Sequence, residues 1–381
     1  MTDRIRGVLS PVVTPFKADL SPDGERFIAH CQWLVSQNCG LAPFGTTSEA
    51  NSLSVEERST LLDALVAAGV DTSRMMPGTG CCSITETVKL TSQAVKHGCA
   101  GVLMLTPFYY KGVSEEGLYR YFSEVVQRVG DARLRIYLYH IPPVAVVGIT
   151  TGLVERLLAA YPNTIAGMKD SSGDWNNTKT FLDAFSARAR HETSSKSQTP
   201  SSKFQGSSNI QHETSSKSQT PSSKSQGSSK IQYPKGESSF DVFVGNESFL
   251  LANMRNGGAG TISATANVNP AAIHKLYAEY RGGKLTASPT ELEDQQQRLN
   301  VVRDLFGKYP MIAALKQAIA INANDPAWAK VRPPLVELTA EQAKTLAVEL
   351  KAIGFTMSLE SRKRTFGYSL IASQAQLTVI S

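Results

Sequence analysis

The chain has 381 residues, of which 41% are hydrophobic, enough to bury a core and to exclude disorder throughout. No apolar run approaches the roughly 18–20 residues that cross a membrane, and no secretory signal is recognisable at the N-terminus. The net charge of +6 is concentrated in residues 191–232 and 358–381, so the nearly neutral remainder argues against a nucleic-acid-binding face.

Short apolar runs alternate with amphipathic segments along most of the chain. The runs are nearly continuous in their apolar character, which is typical of parallel strands buried on both faces. The predicted strands are 7–16, 40–47, 74–80, 100–108, 135–143, 165–172, 240–246 and 260–267. The predicted helices are about 22–38, 54–69, 84–97, 114–129, 150–160, 175–187, 247–256 and 270–282. Eight strand–helix units predict an α/β fold, a (β/α)8 TIM barrel at 4–283.

The chain beyond the predicted barrel has only helical periodicity. Three segments, about 286–307, 309–322 and 339–353, predict a C-terminal helical extension at 284–355. The final residues, 356–381, have no convincing packing pattern and are predicted to form a loose tail.

A tandem duplication of 21 residues interrupts the barrel pattern, with copies at 191–211 and 212–232. Fifteen of these 42 residues are serine, and apolar residues are almost absent. Such a composition cannot offset the entropy of ordering, so we predict a disordered low-complexity insert at 188–238. The insert follows the sixth predicted helix and precedes the seventh strand, which assigns it to the barrel face opposite the chemistry.

Lysine and tyrosine side chains end two neighbouring predicted strands, at the face where TIM barrels hold their active sites. Lys169 ends IAGMK, where partial removal from water would disfavour the ammonium and supply a free amine for attack on a ketone. A lysine paired with Asp170 is an equally good interpretation from position alone. Tyr139 ends YLY and is suited to passing protons to and from a carbinolamine oxygen.

Further hydroxyl groups converge on the same face. Thr46 and Thr47 follow the second predicted strand, and Tyr109 and Tyr110 follow the fourth. The cysteines and histidines form no metal-ligand pattern, and the five cysteines contain no CxxC motif. We therefore expect no metal and no cofactor, and we expect reduced thiols in a cytoplasmic protein.

Five motifs occur in an order and spacing that indicate one family. They are GTTSE at 45–49, TPFYY at 106–110, YHIP at 139–142, GMKD at 167–170 and GAGTISATAN at 258–267. In these motifs the chain resembles the dihydrodipicolinate synthase/N-acetylneuraminate lyase family of class I, Schiff-base-forming, pyruvate-dependent aldolases and lyases. The resemblance covers about 4–187 and 239–355.

The resemblance implies a role for each matching residue. Lys169 matches the lysine that forms a Schiff base with pyruvate, and Tyr139 matches the tyrosine that transfers protons. Thr46 matches the hydroxyl that links Tyr139 to a second tyrosine from a neighbouring subunit. That tyrosine is Tyr109, with Tyr110 as the alternative. The remaining implied roles concern substrate binding: Thr47 with its turn amides would hold the pyruvate carboxylate, and the main chain at Gly245 and Ile262 would line the pyruvate pocket.

Two departures from the family pattern concern the second substrate. Val144 stands where dihydrodipicolinate synthases have an arginine that grips a carboxylate, a task valine cannot perform. Ser48 replaces the glycine of GTTGE and would add a side chain beside the pocket. Glu247 matches the region where sialic-acid lyases hold sugar hydroxyls, although a carboxylate at a helix N-terminus explains it equally well.

The expected function is that of a lyase or aldolase acting on pyruvate or another 2-oxo acid together with an aldehyde, similar to dihydrodipicolinate synthase. An aldolase for hydroxy-oxo acids or sialic acid, or a 2-oxo-acid dehydratase, would use the same scaffold. A non-catalytic barrel that binds oxo acids is the alternative from a different class. The expected partners are a small-molecule substrate and further copies of the chain in a dimer or tetramer, with no nucleic acid and no membrane.

Overall fold

The computed structural model describes residues 4–185, 240–283 and 286–357. The tandem duplication and the tail from 358 onward lie outside the described residues. None of the described helices is long and apolar enough to cross a lipid bilayer.

Seven parallel strands form one curled sheet, in the order β2-β1-β7-β6-β5-β4-β3. Each strand is short and buried, as the continuous apolar runs predict. The strands are β1 Gly7–Ser10, β2 Gly40–Leu41, β3 Val102–Leu105, β4 Ile136–His140, β5 Ile165–Asp170, β6 Asp241–Val244 and β7 Gly260–Ile262.

The segment 75–79 closes this sheet into a barrel between β2 and β3. Met75 forms a parallel bridge with Leu41, and Gly78 forms one with Leu103. The amide of Thr79 also donates to the carbonyl of Leu103 at 3.0 Å. Pro77 has no N–H to donate, which explains why this stretch makes bridges instead of a continuous ladder. The predicted (β/α)8 barrel is confirmed, with its third strand reduced to these bridges.

Helices surround the barrel and continue beyond it. The first nine are α1 Gly24–Ser36, α2 Val55–Ala67, α3 Ile84–Lys96, α4 Glu115–Val129, α5 Pro142–Ala145, α6 Thr151–Ala160, α7 Trp175–Phe185, α8 Leu250–Arg255 and α9 Pro270–Gly282. The extension follows as α10 Pro289–Gly307, α11 Met311–Ala323 and α12 Ala340–Ala352. Short 3-10 helices lie at Ala50–Ser52, Thr72–Arg74, Glu247–Phe249, Ala264–Asn267 and Pro326–Ala329.

Local sequence signals fix where several helices begin. Ser54 and Glu57 form the predicted capping box of α2, in which each side chain bonds the other residue's backbone amide. Ser288 and Glu291 form the same motif at the start of α10. These caps satisfy amide groups that the first helical turn cannot pair.

Side chains alternate between the barrel interior and the layer beneath the helices. The interior cluster includes Leu9, Leu103, Tyr139 and Phe243, whereas strand neighbours such as Met168 pack in the outer core. This alternation follows from the two-residue period of a strand. It directs the side chain after Met168, that of Lys169, to the interior.

The two described ends of the interrupted connection lie side by side. Phe185 at the end of α7 and Phe240 just before β6 pack their rings with centroids 5.2 Å apart. Both side chains are buried in the outer core. A connection between adjacent ends tolerates extra length, because the entropy of closing a loop grows slowly with the number of residues.

Candidate active site

Lys169 lies on β5, the middle one of three neighbouring strands. Its Cα pairs with that of Tyr139 on β4 and with that of Phe243 on β6. The lysine is 5% exposed. Among the described residues, none lies within ion-pair distance of the Lys169 ammonium, so the interpretation as a partner of Asp170 is not supported. The side chain is thus buried without a counter-ion.

Tyr139 connects this lysine to a hydroxyl on the turn that follows β2. The Lys169 Nζ lies 4.4 Å from the centroid of the Tyr139 ring. The Tyr139 phenol is 3.2 Å from the Thr46 Oγ1, and either oxygen can donate in that hydrogen bond. An amine, a phenol and a hydroxyl therefore stand in sequence, an arrangement through which a proton can move to and from an atom bound at Nζ.

The turn that carries Thr46 and Thr47 is held by its own backbone. The amides of Ser48 and Ala50 donate to the Gly45 carbonyl at 3.1 and 3.2 Å, and the Glu49 amide donates to the Thr46 carbonyl at 3.1 Å. Both threonines line the cavity above Lys169. The turn that presents these two threonines to the cavity is consequently fixed in position.

A buried ion pair secures the same turn from the other side. Glu49 has a left-handed backbone, with φ of 57°, and its carboxylate accepts a hydrogen bond from Lys316 on α11. Water has no access to either side chain. The second carboxylate oxygen accepts from the Arg332 amide at 2.9 Å. Burial lowers the pKa of Lys316 to about 8, although the Glu49 carboxylate opposes this effect.

Asp170 follows the lysine and organises the adjacent loop. Its carboxylate accepts from Ser172, from Asn177 at 3.2 Å and from Thr178 at 2.5 Å. Its carbonyl accepts from the Gly245 amide at 2.6 Å, and a Cβ at Gly245 would overlap the Ser171 hydroxyl. Glycine is therefore required where β6 approaches the end of β5.

His140 points away from the cavity into the outer core. It packs against Phe181 with ring centroids 5.9 Å apart, and its Nδ1 accepts from the Ile149 amide at 2.9 Å. Burial lowers the pKa of His140, against the attraction of the Asp170 charge. We conclude that this histidine is a neutral packing group.

A cavity of about 580 Å³ opens above Lys169. The barrel contributes Thr46, Thr47, Tyr139, Ile141, Val144, Lys169, Asp170, Ser171, Gly173, Thr178, Gly245, Asn246, Phe249 and Ala264. The C-terminal extension contributes the rest of the wall, namely Arg303, Pro310, Met311, Ile312, Ala313, Pro334, Leu335 and Val336. This second group could not be predicted from the sequence, because nothing local in a helix specifies which distant surface it covers.

Of the predicted binding residues, Thr47 and Gly245 line the cavity and three others do not. Ser48 is fully buried, and its carbonyl accepts from Thr14 at 2.7 Å, so its side chain is not added to the pocket as expected. Ile262 is fully buried in the barrel interior. Glu247 is buried beside the cavity, where its carboxylate accepts from the hydroxyls of Ser263 and Thr265.

Tyr109 and Tyr110 lie on the loop between β3 and α4, outside the cavity of their own chain. They are 73% and 74% exposed, and their rings meet edge to face with centroids 5.3 Å apart. Lys111 ties this loop to the next one by donating to the Ala145 carbonyl at 3.2 Å. Neither tyrosine reaches Thr46 within one subunit.

The described residues contain no cluster of three or more histidine, cysteine, aspartate or glutamate side chains able to hold a metal ion.

Comparison with known sequences assigns the chain. The model of the Dihydrodipicolinate synthetase family matches residues 4–188 and 227–353. The chain belongs to this family. The resemblance expected from the motifs is thereby confirmed, and so is the expectation of a lyase. The match is interrupted between 188 and 227, within the tandem duplication, so most of the duplicated sequence is foreign to the family pattern.

The chain is similar both to an uncharacterized relative and to relatives with a named activity. It is 28% identical over 351 residues to an uncharacterized DapA-like lyase of Chloroflexus aurantiacus, covering 91% of the chain and 97% of the relative. It is 26% identical over 315 residues to the 4-hydroxy-tetrahydrodipicolinate synthase of Rhizobium meliloti, covering 82% and 87%.

A solved structure in the family has the same fold. The crystal structure of dihydrodipicolinate synthase from Agrobacterium tumefaciens superposes with a TM-score of 0.70 at 26% identity. The superposition covers 92% of the present chain and 99% of the bacterial chain.

Proposed function

We propose that this enzyme forms a Schiff base between Lys169 and pyruvate or a related 2-oxo acid and makes or breaks a carbon–carbon bond to an aldehyde. The observation that carries the proposal is the arrangement of the buried Lys169 amine, the Tyr139 phenol and the Thr46 hydroxyl. An amine in this setting is a nucleophile for a ketone.

The residues divide the reaction as follows. The Lys169 Nζ attacks the keto carbon, and Tyr139 passes the proton released from the nitrogen to the oxygen. Tyr139 then donates its own proton, so that the oxygen leaves as water, and the phenol is reprotonated through Thr46. Loss of a methyl proton from the resulting iminium gives an enamine, whose carbon attacks the aldehyde carbon. Hydrolysis then frees the amine and the product. Thr47 and the amides of its turn would hold the 2-oxo acid carboxylate, beside the neutral backbone at Gly245.

The choice of aldehyde distinguishes two forms of this proposal. Condensation of the dihydrodipicolinate synthase type is supported by relatives of that activity. Val144 favours a different aldolase or a 2-oxo-acid dehydratase, because it lines the cavity, is 60% exposed and offers no charge to a carboxylate. A sialic-acid substrate has no support from Glu247, whose carboxylate is already bonded to two hydroxyls.

We further propose that the active site is completed by a second copy of the chain in a dimer or tetramer. Tyr109, Tyr110 and Val113 lie on the connection that Lys111 joins to Ala145, and Val144 and Val146 flank Ala145; all five are exposed hydrophobic residues. An exposed apolar patch of this kind is typical of an interface. The phenol of Tyr109 would then extend the relay from Thr46 of the neighbouring subunit.

Borohydride trapping tests the proposed chemistry directly. Pyruvate and borohydride together should inactivate the enzyme and add a reduced pyruvate adduct to the peptide containing Lys169. Omission of pyruvate and the variant Lys169→Ala are the controls, and both should give no adduct. An adduct on another lysine, or none, would contradict the mechanism. Trapping without turnover of any aldehyde or hydroxy-oxo acid would favour the non-catalytic alternative.

A further inference from the structure

Arg303 is the side chain in the cavity wall whose function the proposed reaction leaves open. It lies on α10, in the extension, and its side chain is 22% exposed. Its guanidinium donates no hydrogen bond to any described residue, and its Nη1 is a buried nitrogen without an acceptor. The N–H donors of this permanently charged group thus have no acceptor among the described residues.

The nearest carboxylate does not satisfy this arginine. Glu247 Oε2 lies 3.9 Å from Nη1, close enough to attract but too far for a hydrogen bond. The Glu247 oxygens accept from Ser263 and Thr265 instead. Glu247 therefore balances part of the charge while the hydrogen-bonding capacity of the guanidinium is left for a ligand.

The charges that line the cavity favour an anionic ligand. Within the described part of the chain, the charged residues of the wall are Lys169, Asp170 and Arg303. The Asp170 carboxylate is taken up by hydroxyl, amide and backbone donors. Once Lys169 has formed its bond to the 2-oxo acid, Arg303 is the cation of this wall that can meet a second anionic group.

Arg303 and Val144, which stands where dihydrodipicolinate synthases have a carboxylate-binding arginine, lie on different sides of the cavity. Val144 follows β4 and lies on one side of Lys169, whereas Arg303 lies near Asn246 and Phe249, which follow β6 on the other side. The wall between the lysine and the arginine includes the apolar side chains of Phe249 and Met311. A ligand that reaches from Lys169 to Arg303 would place its anionic end across the cavity from the family's usual site.

We propose that Arg303 binds a carboxylate at the far end of the second substrate and thereby selects aldehydes that carry an acidic group. This inference rests on the proposed Schiff-base function. It assigns the specificity of the reaction to the C-terminal extension, on the opposite side of Lys169 from Val144.

The experiment uses 2-oxo acids that imitate the condensed product and need no turnover. Pairs of equal chain length are trapped with borohydride: 2-oxoglutarate against 2-oxopentanoate, 2-oxoadipate against 2-oxohexanoate, and 2-oxopimelate against 2-oxoheptanoate. Each pair differs only in the distal carboxylate. At least one dicarboxylate should half-saturate trapping at roughly 10- to 100-fold lower concentration than its partner, the effect of one charged hydrogen bond.

Three variants assign the preference. Arg303→Met should abolish it while pyruvate trapping continues, which also shows that the variant is folded. Arg303→Lys should retain part of it, because the charge remains and the planar fork is lost. Arg298→Met removes an exposed arginine from the same helix and should leave the preference intact.

The outcomes separate this inference from the function on which it rests. Failure of pyruvate to trap the wild-type enzyme would overturn the proposed function itself. Normal pyruvate trapping with no dicarboxylate preference, or with no trapping of the longer acids, would overturn the role of Arg303 alone. A preference that survives in Arg303→Met would assign the carboxylate to another residue.

Discussion

The Lys316 ammonium and the Glu49 carboxylate form an ion pair from which water is excluded, joining the extension to the turn beside Lys169. Lys316 also donates to the Lys330 carbonyl at 2.8 Å and lies 4.4 Å from the centroid of the Phe16 ring. The turn that presents Thr46 and Thr47 is therefore held by residues far along the chain.

Breaking this pair on one side should destabilise the protein strongly. Lys316→Met leaves the Glu49 carboxylate buried without its partner, which costs about 3–5 kcal/mol of the free energy of unfolding. The double variant Lys316→Met/Glu49→Gln should recover much of that loss. Urea unfolding measures both. Lys308→Met, which removes the more exposed pair with Glu349, is the control and should cost less than about 1 kcal/mol. Equal costs for Lys308→Met and Lys316→Met would refute the argument.

Tyr139→Phe should lower turnover by roughly 10²- to 10⁴-fold, the usual contribution of a general acid–base group. The ring and its packing remain, while the phenol that bonds Thr46 is lost. Tyr137→Phe is a matched control on the same strand, because the Tyr137 hydroxyl is buried without a hydrogen-bond partner in the described structure. Steady-state rates of both variants decide the matter, and a near-normal rate for Tyr139→Phe would assign the proton transfer elsewhere.

Tyr109→Phe should lower turnover although the residue lies outside the cavity of its own subunit. Mixing Tyr109→Phe subunits with inactive Lys169→Ala subunits should restore part of the activity, because a mixed pair contains one site with both an intact lysine and an intact tyrosine. Tyr110→Phe, examined in the same way, determines which of the two phenols is used. The shared-site proposal fails if subunits exchange and no activity returns.

His140 should make the protein less stable as the pH falls below neutrality. Burial lowers its pKa in the folded state below the ordinary value of 6.5, so the unfolded chain takes up the proton first. The free energy of unfolding contributed by this residue is present above pH 6.5 and is lost as the pH falls toward the folded pKa. When urea unfolding is measured between pH 5 and 8, the free energy of unfolding should vary less steeply with pH for His140→Asn than for the wild type. The same pH dependence in both proteins would show that other groups cause the loss of stability.

Deleting residues 191–232 should leave turnover unchanged and alter the free energy of unfolding by only about 1 kcal/mol. The described ends of the connection already touch through Phe185 and Phe240, and residues 186–190 and 233–239 remain to join them. Both ends lie where α7 returns to the start of β6, away from the carboxyl end of β5 that carries Lys169. Loss of activity on deletion would show that the duplication takes part in the function.

The parts of the fold and of the candidate site that could be predicted depend on local sequence patterns. Lys169 and Tyr139 lie near the carboxyl ends of their strands and Thr46 follows β2, and parallel strands bring their carboxyl ends together at one face. The interruption of the third strand was hidden because Pro77 and Gly78 lie within an otherwise apolar run. The wall formed by the extension could not be predicted, since Lys316 and Glu49 are 267 positions apart and neither carries a local signal of the other.

The buried ion pair also determines how reactants can reach Lys169. A wall anchored by Lys316 and Glu49 cannot swing outward without separating two charges in a dry interior, so it does not act as a hinged lid. The exposed large hydrophobic side chains of the cavity wall are those of Val144, Leu335 and Val336, which are 60%, 37% and 71% exposed. We expect reactants and products to pass over this apolar rim, and wider or narrower side chains there to change the rate of passage while the bond-making step stays the same.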